Sequence, residues 1–232
     1  MWEISKVKEK GRTAMKGNYW FCVLASFIMS LFGGVCSASV STQSPDPNLA
    51  SDLETMPPEE AATLATAILI SLLGVLAFSL IIKVFLANPI EVGGCTFFKE
   101  NVKSTPAPFA LMKSGFQHYW HTFKTIFLKN LFLCLWSLLL IVPGIIKSYS
   151  YRMVPYILAE NPDMPASDII TKSREMMNGH KWRTFLLDLS FIGWVIVGVL
   201  TLGLGLAFWT VPYMHSTEAA LYEELKNSQA AA

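Results

Sequence analysis

The sequence predicts an all-α, polytopic transmembrane bundle of about six spans, arranged as three hairpin-like repeats with interfacial amphipathic helices. Three observations carry that expectation. Long runs contain almost no charge, cations and carboxylates are segregated along the chain, and Trp and Pro recur in register at the ends of the apolar runs.

Composition sets the frame. Hydrophobic residues make up 53% of the 232 positions and charged residues only 15%, with a mean hydropathy of +0.42. That is more apolar surface than a water-soluble core needs, so lipid is the expected partner for the remainder. The formal net charge of +1 conceals the segregation of sign. No basic patch stands apart from the membrane ends, which argues against a nucleic-acid partner. Cys22, Cys36, Cys95 and Cys134 have neither metal-ligand spacing nor a disulfide pattern and read as packing residues.

Tyr19–Val40 and Ala62–Ala87 are each long enough to cross about 30 Å of hydrocarbon. Phe123–Val142 is a third such run, with Pro143-Gly144 expected to stop it. Ile145–Leu158 is shorter and carries Lys147, Ser148, Ser150 and Arg152. Thr184–Pro212 is too long for one crossing, and Gly203-x-Gly205 is expected to divide it into two helices. Lys6, Lys8, Lys10, Arg12 and Lys16 before an apolar run that ends in Cys36-Ser37-Ala38-Ser39 also have the layout of a signal peptide. The repeat described below favours a retained anchor.

Orientation follows from the cations. Ser41–Ala61 has no Lys or Arg but holds Asp46, Asp52, Glu54, Glu59 and Glu60, so it is expected outside. The N-terminal cations, Lys99, Lys103 and Lys113, and then Lys172, Arg174 and Lys181 are expected inside. Both termini are then cytoplasmic.

Self-similarity supports the layout. Met15-x-Gly17-x-x-Trp20 matches Met177-x-Gly179-x-x-Trp182, and Trp120-x-Thr122-Phe123 matches Trp182-x-Thr184-Phe185. Val154-Pro155-Tyr156 matches Val211-Pro212-Tyr213, with Asn88-Pro89-Ile90 in the equivalent place. Trp20, Trp120 and Trp182 are thus expected to mark three outgoing helices at the headgroup level, and Pro89, Pro155 and Pro212 to close three returning ones. The repeats span 1–98, 99–162 and 163–225, followed by a short tail, 226–232. In Pro165–Asn178, Ile169, Ile170, Met176 and Met177 recur at helical spacing opposite an Asp168–Lys172 pair, so this helix is expected to lie flat on the inner leaflet, ending at Gly179.

The polar residues within the apolar runs are the candidates for function. Asp188 lies about six residues past Trp182 and needs a partner, and Arg152 falls at a comparable depth. Ser148, Tyr151, Arg152 and Pro155 share one helical stripe, with Lys147 at its edge, and the stripe is expected to face the bundle interior. One reading is a binding site or pathway for an anion or lipid headgroup. The other, favoured on sequence, is a buried pair that fixes helix register. His118 and His121 share a face but lack further ligands. No motif for zinc, phosphate or nucleophilic chemistry is present, so neither a cofactor nor enzymatic activity is expected.

Several segments together resemble a known family. These are Leu135-Trp136-Ser137-Leu138-Leu139, Val142-Pro143-Gly144-Ile145-Ile146-Lys147-Ser148-Tyr149-Ser150-Tyr151 and Pro155-Tyr156-Ile157-Leu158-Ala159-Glu160-Asn161-Pro162. Downstream come Ser173-Arg174-Glu175-Met176-Met177-x-Gly179-His180-Lys181-Trp182, Leu189-Ser190-Phe191-Ile192-Gly193-Trp194 and Pro212-Tyr213. They resemble the bacterial integral membrane family called domain of unknown function 975, strongly over the C-terminal half and by layout over the N-terminal half. The resemblance implies a multispanning protein of the bacterial cytoplasmic membrane and no established activity. Two functions stay open: a non-enzymatic scaffold or partner subunit for another membrane protein, which is favoured, and a transporter or lipid-handling protein built around the polar stripe.

Overall fold

The computed structural model describes residues 2–33 and 57–230, and every regular element among them is helical. In chain order these are α1 (Ile4–Gly17), α2 (Tyr19–Gly33), α3 (Pro58–Ile82), a π-helical turn (Lys83–Ala87) and α4 (Asn88–Lys103). A 3₁₀ helix (Phe109–Phe116), α5 (Tyr119–Leu139), α6 (Ile141–Ser150), α7 (Val154–Glu160) and α8 (Ala166–Met176) follow. The last are α9 (Lys181–Leu189), α10 (Ile192–Leu200), a second π turn (Leu206–Thr210) and α11 (Val211–Ala230). Most of the acidic segment that the sequence places outside, including Asp46, Asp52 and Glu54, lies outside the described residues, as do Cys36 and the end of the first apolar run.

Two kinds of helix surface divide the fold. Val7, Met15, Phe97, Phe98, Tyr156, Ile157, Ile169, Met177 and Tyr222 are buried together in one core fed by α1, α4, α7, α8 and α11. Burying each such side chain is worth roughly 1.5–3 kcal/mol, which makes this core the part of the fold held by protein alone. By contrast, α2, α3, α5, α6 and α10 turn large apolar side chains outward, among them Phe27, Leu31, Ile68, Leu69, Ile70, Leu135, Leu138, Val142, Ile196 and Leu200. Tyr119–Leu139 and the stretch Lys181–Leu200 are long and apolar enough to cross a membrane, and Tyr19–Leu31 and Ala62–Phe78 are shorter apolar helices.

Local chemistry explains most boundaries. Asp168 in the first turn and Arg174 in the last turn of α8 complement its dipole, and Gly179 takes a φ of +76° where the chain turns toward α9. Leu202 and Gly203 adopt φ values of 54° and 85° at the turn after α10, which divides the long C-terminal apolar stretch where the sequence placed the division. The end of the Tyr119 helix differs from expectation. Leu140 is extended (φ −159°, ψ 140°) and breaks the chain, whereas Pro143-Gly144 sits in the first turn of α6. A proline there loses nothing, because its N–H would have no helical acceptor.

Two further expectations are corrected. Pro89, Pro155 and Pro212 do not close returning helices: each lies in the first turn of a new helix, α4, α7 and α11, and two of these continue directly from a π turn. The face of α8 made by Ile169, Ile170 and Met176 is buried, and α8 packs against α5 and α7, so protein covers what was expected to lie on the leaflet.

The packing partners follow a rotation. The 3₁₀ helix packs on α4, α8 packs on α7, and α1 packs on α11. In each case the helix before a Trp lies against the post-proline helix of the segment before it, the last joining the first. Close approach is tight in two of the three: a Cβ on Gly115 would lie 1.9 Å from the Pro89 carbonyl oxygen, and one on Gly11 would lie 2.6 Å from Thr217 Cα.

Candidate polar cavity and its ion pairs

Proline at position i cannot donate to the carbonyl of residue i−4, so that oxygen needs another donor. Phe85 is four residues before Pro89, and its carbonyl accepts the Tyr119 hydroxyl at 3.0 Å. Phe208 is four before Pro212, and its carbonyl accepts the Tyr19 hydroxyl at 2.9 Å. Tyr19 and Tyr119 each immediately precede a Trp at the start of an apolar helix, α2 and α5. The third such position is Lys181, and the carbonyl of Tyr151, four before Pro155, instead accepts the Val154 N–H at 3.2 Å. Trp20, Trp120 and Trp182 all face outward.

The interior behind these joints is polar. Arg152, in the turn between α6 and α7, donates from Nη1 to Asp188 at 2.5 Å and from Nε to Glu218 at 2.7 Å. The Tyr149 hydroxyl donates to the same Asp188 oxygen at 3.0 Å. The Arg152–Asp188 contact is the one expected from helical depth, and Glu218 on α11 is a third member that the sequence did not indicate. A second pair joins Lys129 of α5 to Glu91 of α4 at 2.9 Å.

The Arg152–Glu218 and Lys129–Glu91 pairs border one cavity of about 330 Å³, lined also by Ser148, Tyr151, Pro155 and His215, while Asp188 and Tyr149 lie outside its lining. The stripe of Ser148, Tyr151, Arg152 and Pro155 therefore meets on one interior surface. Lys147 does not join it, because its ammonium lies over the Trp136 ring at 4.6 Å. Met29 and Lys129, each nine residues past their Trp, both reach this cavity. Lys129 and Glu91 were missed in the sequence, although a lysine amid an apolar run was itself a sufficient signal.

Beyond the cavity, the packed core holds a second charge cluster. Glu160 at the end of α7 accepts from Lys226 (2.8 Å), Tyr222 (2.9 Å) and Lys103 (3.3 Å), with Lys99 at 3.4 Å. Burial alone would raise its carboxyl, but these hydrogen bonds and cations hold it down at about 2. Burial pushes the Lys99 ammonium below its usual value, with Glu160 opposing and Lys103 adding to the shift. A buried amide clasp fixes the α1–α2 corner. Asn18 donates to Asn101 Oδ1 (3.0 Å) and to the Ala107 carbonyl (2.9 Å), while Asn101 donates to the Ala14 carbonyl (2.8 Å). Cys22 and Cys95 are buried free thiols. Among the described residues no three His, Cys, Asp or Glu side chains gather as a metal site.

Residues 137–229 match the model of a family described as Protein of unknown function (DUF975). That stretch holds α6 to α10 and most of α11, so Arg152, Asp188, Glu218, Glu160, Tyr222 and Lys226 lie within the matched segment, while Lys99 and Lys103 lie before it. No curated protein matches the chain, and no solved structure does.

Proposed function

We propose that this chain is a multispanning, non-enzymatic protein of the bacterial cytoplasmic membrane whose interior cavity binds a small polar solute. The observation that carries the reading is the cavity itself: Glu91, Lys129, Arg152 and Glu218 line it among apolar neighbours, while the helices outside it turn apolar side chains outward. Soluble proteins seldom expose so many large apolar residues, and lipid is the solvent that stabilises them. A volume of about 330 Å³ is at the small end of ligand sites.

Six spans in three repeats, with both termini inside, complete the proposal. Its support is the paired Tyr-to-carbonyl bonds, the rotation of packing partners, and the Trp and Pro matches in the sequence. In this arrangement the charges on Arg152, Asp188, Glu218, Lys129 and Glu91 satisfy one another in a medium of low dielectric, and a solute enters by exchanging with those contacts. The polar cavity favours solute handling over the scaffold expected from the sequence.

Purification in a mild detergent followed by native mass spectrometry tests this. A small non-lipid molecule retained by the natural protein and lost in Lys129→Gln and Glu91→Gln supports the cavity as a binding site. A stoichiometric protein partner with no retained small molecule supports the scaffold instead.

A further inference from the structure

Groups of both signs in the wall of the central cavity have hydrogen-bonding capacity left over. Arg152 donates from Nε to Glu218 and from Nη1 to Asp188, and its Nη2 has no acceptor among the described residues. Glu91 and Glu218 each receive a cation on Oε1, and Oε2 of each has no donor among the described residues. A guanidinium N–H can only donate and a carboxylate oxygen can only accept. An anion alone, or a cation alone, therefore serves only half of these groups. Asp188 holds Arg152 from outside the lining, so the guanidinium keeps a carboxylate partner when Glu218 turns to a solute.

Beside this cavity lies a smaller pocket of about 220 Å³ between α5 and α6, lined by Leu133, Ser137, Gly144, Ile145 and Ser148. Leu133 and Ser148 line both spaces, so the charged chamber continues into one without an ionisable side chain.

We infer that the cavity takes an α-amino acid with an apolar side chain: its carboxylate on Arg152, its ammonium on Glu218 and Glu91, and its side chain in the smaller pocket. The inference rests on the reading of the cavity as a solute site and names the class of solute. Geometry selects that class. Arg152 and Glu218 are in contact at 2.7 Å, which suits a ligand whose two charges sit on one carbon and not one whose charges are separated by a long chain. Charge-assisted hydrogen bonds at both ends then fix its orientation. With the head so held, the shared wall of Leu133 and Ser148 leads the side chain toward Ile145 and Gly144, where hydrocarbon is removed from water.

The test titrates the full chain in mild detergent with L-leucine, with isocaproate and isoamylamine, which keep only its carboxylate or only its ammonium, and with its isomer ε-aminocaproate. Calorimetry reads the affinities. Leucine is expected to bind about tenfold more tightly than each of the other three, the scale of one lost hydrogen bond to a charged group. Glu91→Gln weakens leucine by about the same factor and leaves isocaproate no weaker, a split that partial unfolding does not produce. Ser137→Leu fills the smaller pocket, so it weakens leucine and spares the weaker binding of L-alanine. No binding of leucine, equal binding of leucine and any of the three analogues, or unchanged leucine affinity in both variants would overturn the inference. Native mass spectrometry separates it from the reading beneath it. A retained small non-lipid molecule that is not an apolar amino acid sinks the class alone; no retained molecule together with no bound probe sinks the solute site as well.

Discussion

The hydroxyl of Tyr119 caps the carbonyl of Phe85 at 3.0 Å, satisfying the acceptor that Pro89 leaves without a donor. Tyr19 does the same for Phe208 and Pro212. A local defect of sequence is thus repaired by a residue from another segment, which fastens the first turn of α5 and of α2 to the two π turns. Tyr119→Phe and Tyr19→Phe each remove only the hydroxyl, so each should lower stability by about 1 kcal/mol, and up to about 3 where water cannot replace the donor. Thermal melts in detergent check this. Unchanged melting in both variants would mean that the bonds do not fasten the joints.

Arg152 bridges Asp188 and Glu218, so removing it leaves two carboxylates facing each other in a poorly hydrated interior. The three side chains are only partly buried, so Arg152→Ala should cost about 1.5–3 kcal/mol, the scale of hydrogen bonds to charged groups. Adding Asp188→Asn and Glu218→Gln to that variant should recover part of the loss, because the stranded charges are then gone. A triple variant no more stable than Arg152→Ala would contradict the account.

Asn101 is fully buried and joins α1, α2 and the chain after α4 through both ends of its amide. Asn101→Leu has similar volume but strands the Asn18 amide and the Ala107 N–H and Ala14 carbonyl. A loss of about 2–4 kcal/mol is expected from several buried groups left without partners. Proteolysis of the α1–α2 corner should become faster in the variant. Equal protease resistance would rule out a clasp.

Glu160 supplies a pH dependence of known sign. Its folded-state carboxyl is held at about 2, below the 4.5 of a free glutamate. A depressed carboxyl stabilises the fold above its unfolded value, and that stability is lost as pH falls from about 4.5 toward 2. The full effect is on the order of 3 kcal/mol. Melting temperatures measured from pH 6 to pH 2 should therefore fall less steeply for Glu160→Gln than for the natural protein. Parallel profiles would show that the cluster contributes no such stability.

Much of this was legible in the sequence. Helical class follows from hydrophobic runs that only helices accommodate at that length, and the depth of Arg152 and Asp188 follows from a fixed rise per residue. The division near Gly203 follows from backbone freedom. What escaped depends on distant partners. Proline reads as a helix end because its local effect is disruptive, yet Tyr119 and Tyr19 supply the donor that lets the chain stay helical through Pro89 and Pro212. The apolar face of α8 reads the same whether protein or lipid will cover it. Glu218 and Glu160 sit in stretches of ordinary polarity, where nothing local separates a core carboxylate from a solvated one. Lys129 was different, since its apolar surroundings already called for a partner.

Sidedness labelling tests the membrane reading most directly. Single cysteines are introduced by Ser51→Cys, in the acidic segment, and Ser228→Cys, near the C-terminus, with Cys22, Cys36, Cys95 and Cys134 replaced by Ala. An impermeant maleimide added to intact cells should label position 51 and reach position 228 only after lysis. Labelling of position 228 in intact cells, or of position 51 only after lysis, would contradict the proposed threading.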